Sequence, residues 1–188
     1  MRIIAGDYKG RKLDTPRDNE IRPTTDKVKE AIFSILMPYT EDGIFVDLFS
    51  GTGGLGLEAL SRGAKFCYFC DKERSAISII KRNIEKCDAS DRAKIIHGDY
   101  MKLIHELEGD RVDVILMDPP YESNLYEKAL KEVDLLDLLR DEGIIVTEHP
   151  KNMVMPERVG RLYLYRERSY GKTVLSMYKK ENTMESNT

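Results

Sequence analysis

Four short apolar runs in this chain each close on an aspartate: "GIFVD" at Asp47, "KFCYFCD" at Asp71, "AKIIHGD" at Asp99 and "VDVILMD" at Asp118. Short apolar, β-branched and aromatic runs bounded by turn residues read as buried strands. Between them stand "GTGGLGLEALSRGA", "KERSAISIIKRNIEKC" and "YMKLIHELEG", with apolar residues at helical spacing. Strand–helix alternation requires crossover connections. These are right-handed, so the sheet they build is mostly parallel and covered by helices on both faces. A parallel sheet brings the carboxyl ends of its strands to one edge, where open α/β sheets bind ligands. The four aspartates are therefore expected together on that edge.

The remainder of the chain extends this plan. "NLYEKALKEVDLLDLLRDEG" reads as a helix with Gly143 near its C-cap, and "GIIVTEH" as a fifth strand. "RLYLYRERSYG" and "TVLSMYKK" follow with no helix between them, as an antiparallel hairpin closing one edge. The expected fold is α/β, Rossmann-like and doubly wound, with a mostly parallel seven-stranded sheet ending in that hairpin. Residues 1–40 differ. "MRIIAGDYKGRKLDTP" suggests a small β-hairpin, and "RPTTDKVKEAIFSILMPY" a helix from about Asp26 to Met37, capped by Thr24 or Thr25. The division is thus an N-terminal extension (1–40), a main domain (41–180) and a polar, disordered tail (181–188). No internal repeat is visible. The 188 residues suffice for one domain with a real core, and 41% hydrophobic with 34% charged residues is ordinary globular usage. No signal pattern or membrane-length apolar run is present, so a cytoplasmic protein is expected, with Cys67, Cys70 and Cys87 as free thiols.

The first strand runs into Gly51-x-Gly53-x-x-Gly56, which opens a helix. Glycines at this position allow a tight turn and close approach of a ligand to backbone. The alternative is a plain helix-entry turn. Asp71 ends the next strand about twenty residues on, where a carboxylate can bind the two hydroxyls of a ribose. Asp47 would be unwelcome beside a pyrophosphate but useful near a cation, which points to a sulfonium- and ammonium-bearing cofactor instead of a dinucleotide. Asp99 can accept from an adenine amino group, with Tyr100 or Met101 packed on the ring. It can equally N-cap the next helix.

The fourth strand exits through Asp118-Pro119-Pro120-Tyr121. Two prolines give up two backbone donors, fix φ and keep the preceding residues extended, so the exit is rigid with its carbonyls free. An exocyclic amine on a nucleobase is a poor nucleophile because its lone pair is delocalised into the ring. The Asp118 carboxylate and Pro119 carbonyl can accept its two N–H groups, hold the nitrogen close to a methyl donor and stabilise developing positive charge. Asp118 can take the released proton, and Tyr121 can stack on an extruded base. The bland alternative is a strand-terminating turn, which Asp-Pro also favours.

These residues carry a resemblance. From Gly43 to about Lys180 the chain resembles class I S-adenosylmethionine-dependent methyltransferases, and "DPPY" matches their amino-methylating signature. With "MRIIAGDYKGRKL", "RPTTDKVKEAIFSIL" and "DLFSGTGGLGLEALSRGA" it resembles the RsmD-type ribosomal RNA methyltransferases over essentially its full length. That resemblance implies methylation of guanine N2 in 16S ribosomal RNA of the small subunit. It also implies S-adenosylmethionine as cofactor, held by Asp47, Gly51, Gly53, Asp71, Asp99 and Tyr100, with Arg22 to Thr25 over the cofactor mouth and Asp118 to Tyr121 as the catalytic motif. A DNA adenine or cytosine methyltransferase would need a target-recognition segment, for which little length is spare. A nicotinamide-dependent oxidoreductase explains neither "DPPY" nor Asp47, and intact Asp118 speaks against a non-catalytic RNA-binding factor.

Formal net charge is -3, so RNA affinity would have to come from distribution. Arg2, Lys9, Arg11 and Lys12 crowd the N-terminal hairpin, with Arg22 beyond, as a basic patch expected beside the catalytic edge. Arg161, Arg166, Arg168 and Lys172 could extend it or decorate an edge strand. Cys67-x-x-Cys70 lacks companion ligands, and residues three apart on a strand face opposite sides, so no metal is expected. His97 and His105 pair with no visible nucleophile, and His149 ends the fifth strand at the active edge with a minor substrate role open to it. A monomer acting alone on the small subunit or its assembly intermediate completes the expectation.

Overall fold

The computed structural model describes residues 1–16, 25–120 and 123–181. Tyr121, Arg22 and the tail beyond residue 181 lie outside them. Among the described residues no helix is long and apolar enough to cross a membrane.

The strands are β1 (Ile44–Asp47), β2 (Phe66–Asp71), β3 (Ala93–His97), β4 (Val112–Met117), β5 (Leu139–Pro150), β6 (Arg158–Val159), β7 (Leu162–Tyr170) and β8 (Thr173–Lys180). They form one sheet in the order β3-β2-β1-β4-β5-β8-β7-β6. The first five in that order are parallel; β8, β7 and β6 add antiparallel pairings. Chain direction along the sheet switches between β1 and β4, and such a switch opens the crevice where ligands bind in doubly wound folds. The sheet has eight strands, one more than expected. The extra one, two-residue β6, buries Val159 against β7 and shortens the exposed edge.

Helices α1 (Asp26–Thr40), α2 (Gly54–Ser61) and α3 (Arg74–Lys86) cover one face; α4 (Tyr100–Glu106) and α5 (Ser123–Leu135) cover the other. The expectation of a helix reaching Gly143 is corrected. Helix α5 stops at Leu135, Asp137 turns left-handed at φ 52°, and β5 already starts at Leu139. The apolar spacing of "VDLLDLL" suits a helix. The override is tertiary: Arg161 Nη1 and Lys180 Nζ each donate to Asp137 Oδ1 at 2.9 Å, and Arg111 also pairs with Asp137. Gly143 lies within β5, beside an irregularity where Val112 pairs with Leu139 but Val114 with Ile144.

Residues 1–16 form an arm built on a short antiparallel pairing: Arg2 bridges Lys12, Ile3 N donates to Arg11 O (3.0 Å), Gly10 N to Ile3 O (2.9 Å) and Leu13 N to Met1 O (3.1 Å). The arm is held by packing and by one buried carboxylate. Ile3, Tyr8 and Leu13 join the same apolar cluster as α1, α2 and β1. Glu58, fully buried on α2, accepts from Ile4 N (2.9 Å), Ala5 N (3.0 Å) and Arg62 Nε (2.9 Å). Fully buried Lys29 on α1 sits 3.6 Å from Glu58 and donates to the Arg2 carbonyl at 2.8 Å. A charge at such depth is tolerated only when paired and hydrogen-bonded. Arm, α1 and α2 are thereby one structural unit.

Candidate active site

The glycine loop is built by the end of β2. Ser50 N donates to Cys70 O (2.8 Å) and Cys70 N to Ser50 Oγ (3.0 Å), while Gly51 N donates to Asp71 Oδ2 (2.9 Å). Gly53 caps α2 with φ 78°, a conformation that costs other residues strain. Gly56 lies against the sheet, where a Cβ would come within 2.3 Å of Phe69 Cε1. The third glycine therefore sets helix–strand distance, and the first two shape the turn.

Asp47, 2% exposed, sits beneath the loop and accepts from Gly56 N at 3.3 Å. Burial, opposed by backbone donors and reinforced by neighbouring Asp71, pushes its carboxyl up to about 7. Asp71 spends one oxygen on Gly51 N and the other on Glu73 N (2.9 Å), and burial likewise raises it. Each carboxylate oxygen retains a second lone-pair direction, so a ribose role is compatible with this anchoring. Asp99 caps α4, accepting from Lys102 N at 3.0 Å. Tyr100 packs on Phe49 with ring centroids 5.3 Å apart. Phe49, which the sequence reading passed over, follows β1 directly and thus reaches the same edge. Thr25 caps α1 by accepting from Val28 N (3.3 Å).

Asp118 follows β4 without a break, partly exposed, with Pro119 buried and Pro120 exposed. Burial, then Glu148, then Asp47 push its carboxyl well above the usual range. Three carboxylates gather at one edge, each raised first by burial, and with acidic neighbours adding to it the arrangement would be eased by a cation. A Gly-rich turn beside them lets a ligand lie close to backbone. The donor set thus fits a sulfonium- and ammonium-bearing group and disfavours a pyrophosphate.

The basic residues are only partly gathered. Arg2 pairs with Asp26 at the start of α1, near the active edge. Arg11 donates to Lys86 O and Asp88 at the end of α3, and the arm's tip is bound to Ser61 at the end of α2. Helices between parallel strands run opposite to them, so these ends mark the far edge of the sheet. The patch expected beside the catalytic edge is therefore spread along the helical layer, with Lys9 and Lys12 exposed on it. His149 is 2% exposed, its Nε2 2.7 Å from Ser176 Oγ, so it supports β5 from the protein side. Cys67, Cys70 and Cys87 are buried free thiols.

Sheet order, glycine loop and edge carboxylates define a Rossmann-like class I methyltransferase. The family model described as Conserved hypothetical protein 95 matches residues 1–179. The Ribosomal RNA small subunit methyltransferase D of Escherichia coli K12 is 31% identical over 186 residues, 99% of this chain and 93% of its own. YlbH of Bacillus subtilis is 39% identical over 182 residues, 96% of this chain and 99% of its own. Among solved structures, yhhF from Escherichia coli superposes with a TM-score of 0.86 at 29% identity, covering 97% of this chain and 98% of that one. The chain belongs to this RsmD-type family of methyltransferases.

Proposed function

We propose that the chain methylates the exocyclic N2 amine of a guanine in 16S ribosomal RNA, using S-adenosylmethionine, on the small subunit or an assembly intermediate in the cytoplasm. The observation that carries this is Asp118-Pro119 at the β1/β4 switch, beside Asp47, with carboxylates pushed upward together. The names of relatives that align over most of the chain support ribosomal RNA over DNA as substrate.

When bound, S-adenosylmethionine supplies an electrophilic methyl group on a sulfonium. Asp71 holds the ribose, Asp99 and Tyr100 the adenine, and Asp47, Gly51 and Gly53 keep the loop in shape, with Thr25 over the mouth. Asp118 and the Pro119 carbonyl accept the two N–H bonds of the base amine and hold its lone pair toward the methyl donor. The raised carboxyl of Asp118 is matched to receiving the proton that the amine sheds afterwards. Tyr121 stacks on the flipped base. Arg2, Lys9, Arg11, Lys12 and Arg22 contact phosphates as a monomeric enzyme docks on its particle.

Single-turnover methylation of small-subunit particles tests the reading. Asp118→Ala should slow the step on the order of 100–1000-fold while cofactor affinity holds. Wild-type turnover in that variant, or a labelled methyl group on adenine, cytosine or protein, overturns it.

A further inference from the structure

Strand β5 ends beside the proposed catalytic motif and carries a carboxylate of its own. Met117 pairs with Thr147 in parallel register, so the next step along both strands sets Asp118 beside Glu148. Partners in a parallel pair point to the same face. Leu116 and Val146, two positions earlier, face the cluster that also holds α1 and α2, so Asp118 and Glu148 share that face at the cofactor edge. Both are partly exposed.

Position 148 is held from behind. Tyr126 Oη donates to the Glu148 carbonyl at 2.6 Å. On the opposite face of the sheet His149 packs edge-on against Tyr126, ring centroids 6.1 Å apart, with Nε2 2.7 Å from Ser176 Oγ. Ser176 Oγ in turn donates to Glu167 Oε1 at 2.6 Å. A hydrogen-bonded network at a strand end is a means of holding a neighbouring group without reorganisation.

Two carboxylates side by side read a distinctive pattern of hydrogens. Among bases with an exocyclic amine, guanine places a ring N–H donor, N1–H, next to its amine. Adenine and cytosine place a bare ring nitrogen there, an acceptor that a carboxylate repels. The geometry points to Glu148 as a specificity-determining residue that accepts N1–H of the target guanine while Asp118 engages the N2 amine. This rests on the guanine-N2 reading above. Burial first, and then the charge of Glu148, displaces Asp118 upward, and N–H donors facing the pair would offset that repulsion.

The probe is 2-aminopurine, which keeps the C2 amine but presents an acceptor at N1. Small-subunit particles are reconstituted with RNA carrying guanine or 2-aminopurine at the mapped target, and single-turnover rates are compared. Wild-type enzyme should favour guanine at least about 100-fold, because a site built to accept a donor rejects its absence strongly. Isosteric Glu148→Gln, whose amide can donate to the N1 acceptor, should narrow that ratio by about tenfold or more. The apparent pKa of the step should fall, since an anion beside Asp118 is removed. Cofactor affinity and melting temperature report that the variant is folded. A folded Glu148→Gln enzyme with the wild-type guanine-to-2-aminopurine ratio overturns the proposal, as does a wild-type enzyme that uses both bases equally. Mapping the methyl group in wild-type product tests the guanine-N2 reading separately, because that result does not depend on residue 148.

Discussion

Asp47 should make the ligand-free protein less stable as pH rises toward neutrality, the reverse of the usual behaviour of a carboxylate. Its carboxyl titrates at about 7 in the folded chain, against 3.8 for the ordinary group. Between those values the folded state holds a proton that the unfolded state has released. Folding then binds more protons than unfolding does, so stability falls with rising pH, by at most about 1.4 kcal/mol per pH unit. From full protonation to full ionisation the loss is about 4 kcal/mol. Across pH 5 to 7, allowing for partial ionisation near 7, it is about 2 kcal/mol. The cause is the site itself: at 2% exposure, burial outweighs the donors that Gly56, Phe49 and Ser50 offer, and Asp71 nearby adds to it. Asp47→Asn keeps an acceptor for Gly56 and removes the titration. Urea unfolding followed by circular dichroism at pH 5, 6 and 7 gives the comparison. Wild type should lose about 2 kcal/mol relative to the Asn variant over that range. The lowered carboxyls of Asp14, Asp137, Asp141 and Glu181 titrate below this window and are common to both proteins. Parallel stability curves for the two proteins would refute the argument that burial raises Asp47.

Two further outcomes follow from the same geometry. Asp71→Ala removes the acceptor for Gly51 N and Glu73 N as well as the proposed ribose contact, so calorimetric titration should show S-adenosylmethionine affinity weakened by about 1.5–3 kcal/mol; unchanged affinity removes Asp71 from the site. Glu58→Ala strands buried Lys29 and the Ile4 and Ala5 amides, so denaturant unfolding should show a loss of about 3–5 kcal/mol, and a loss under 1 kcal/mol would show that the arm is not held by this carboxylate.

The alternation of apolar runs with helical patterns was enough to determine a parallel, doubly wound sheet, because each pattern can bury its apolar side in only one kind of layer. The same alternation determined that Asp47, Asp71, Asp99 and Asp118 would share an edge: strand direction is a consequence of topology, and topology was legible. Tertiary structure decided what local pattern could not. Whether "VDLLDLLRDEG" stays helical depends on Arg161, Lys180 and Arg111 reaching Asp137 from other elements. Where the short pairing of residues 1–16 docks depends on Glu58, some fifty residues away, accepting the Ile4 and Ala5 amides. In the sequence Glu148 is one more charged residue near a strand end, and its place beside Asp118 appears only once β4 and β5 are paired in register. Spacing along a chain determines which face and edge a residue occupies, whereas the neighbour across the strand, and the charge it feels, exist only after the strands have met.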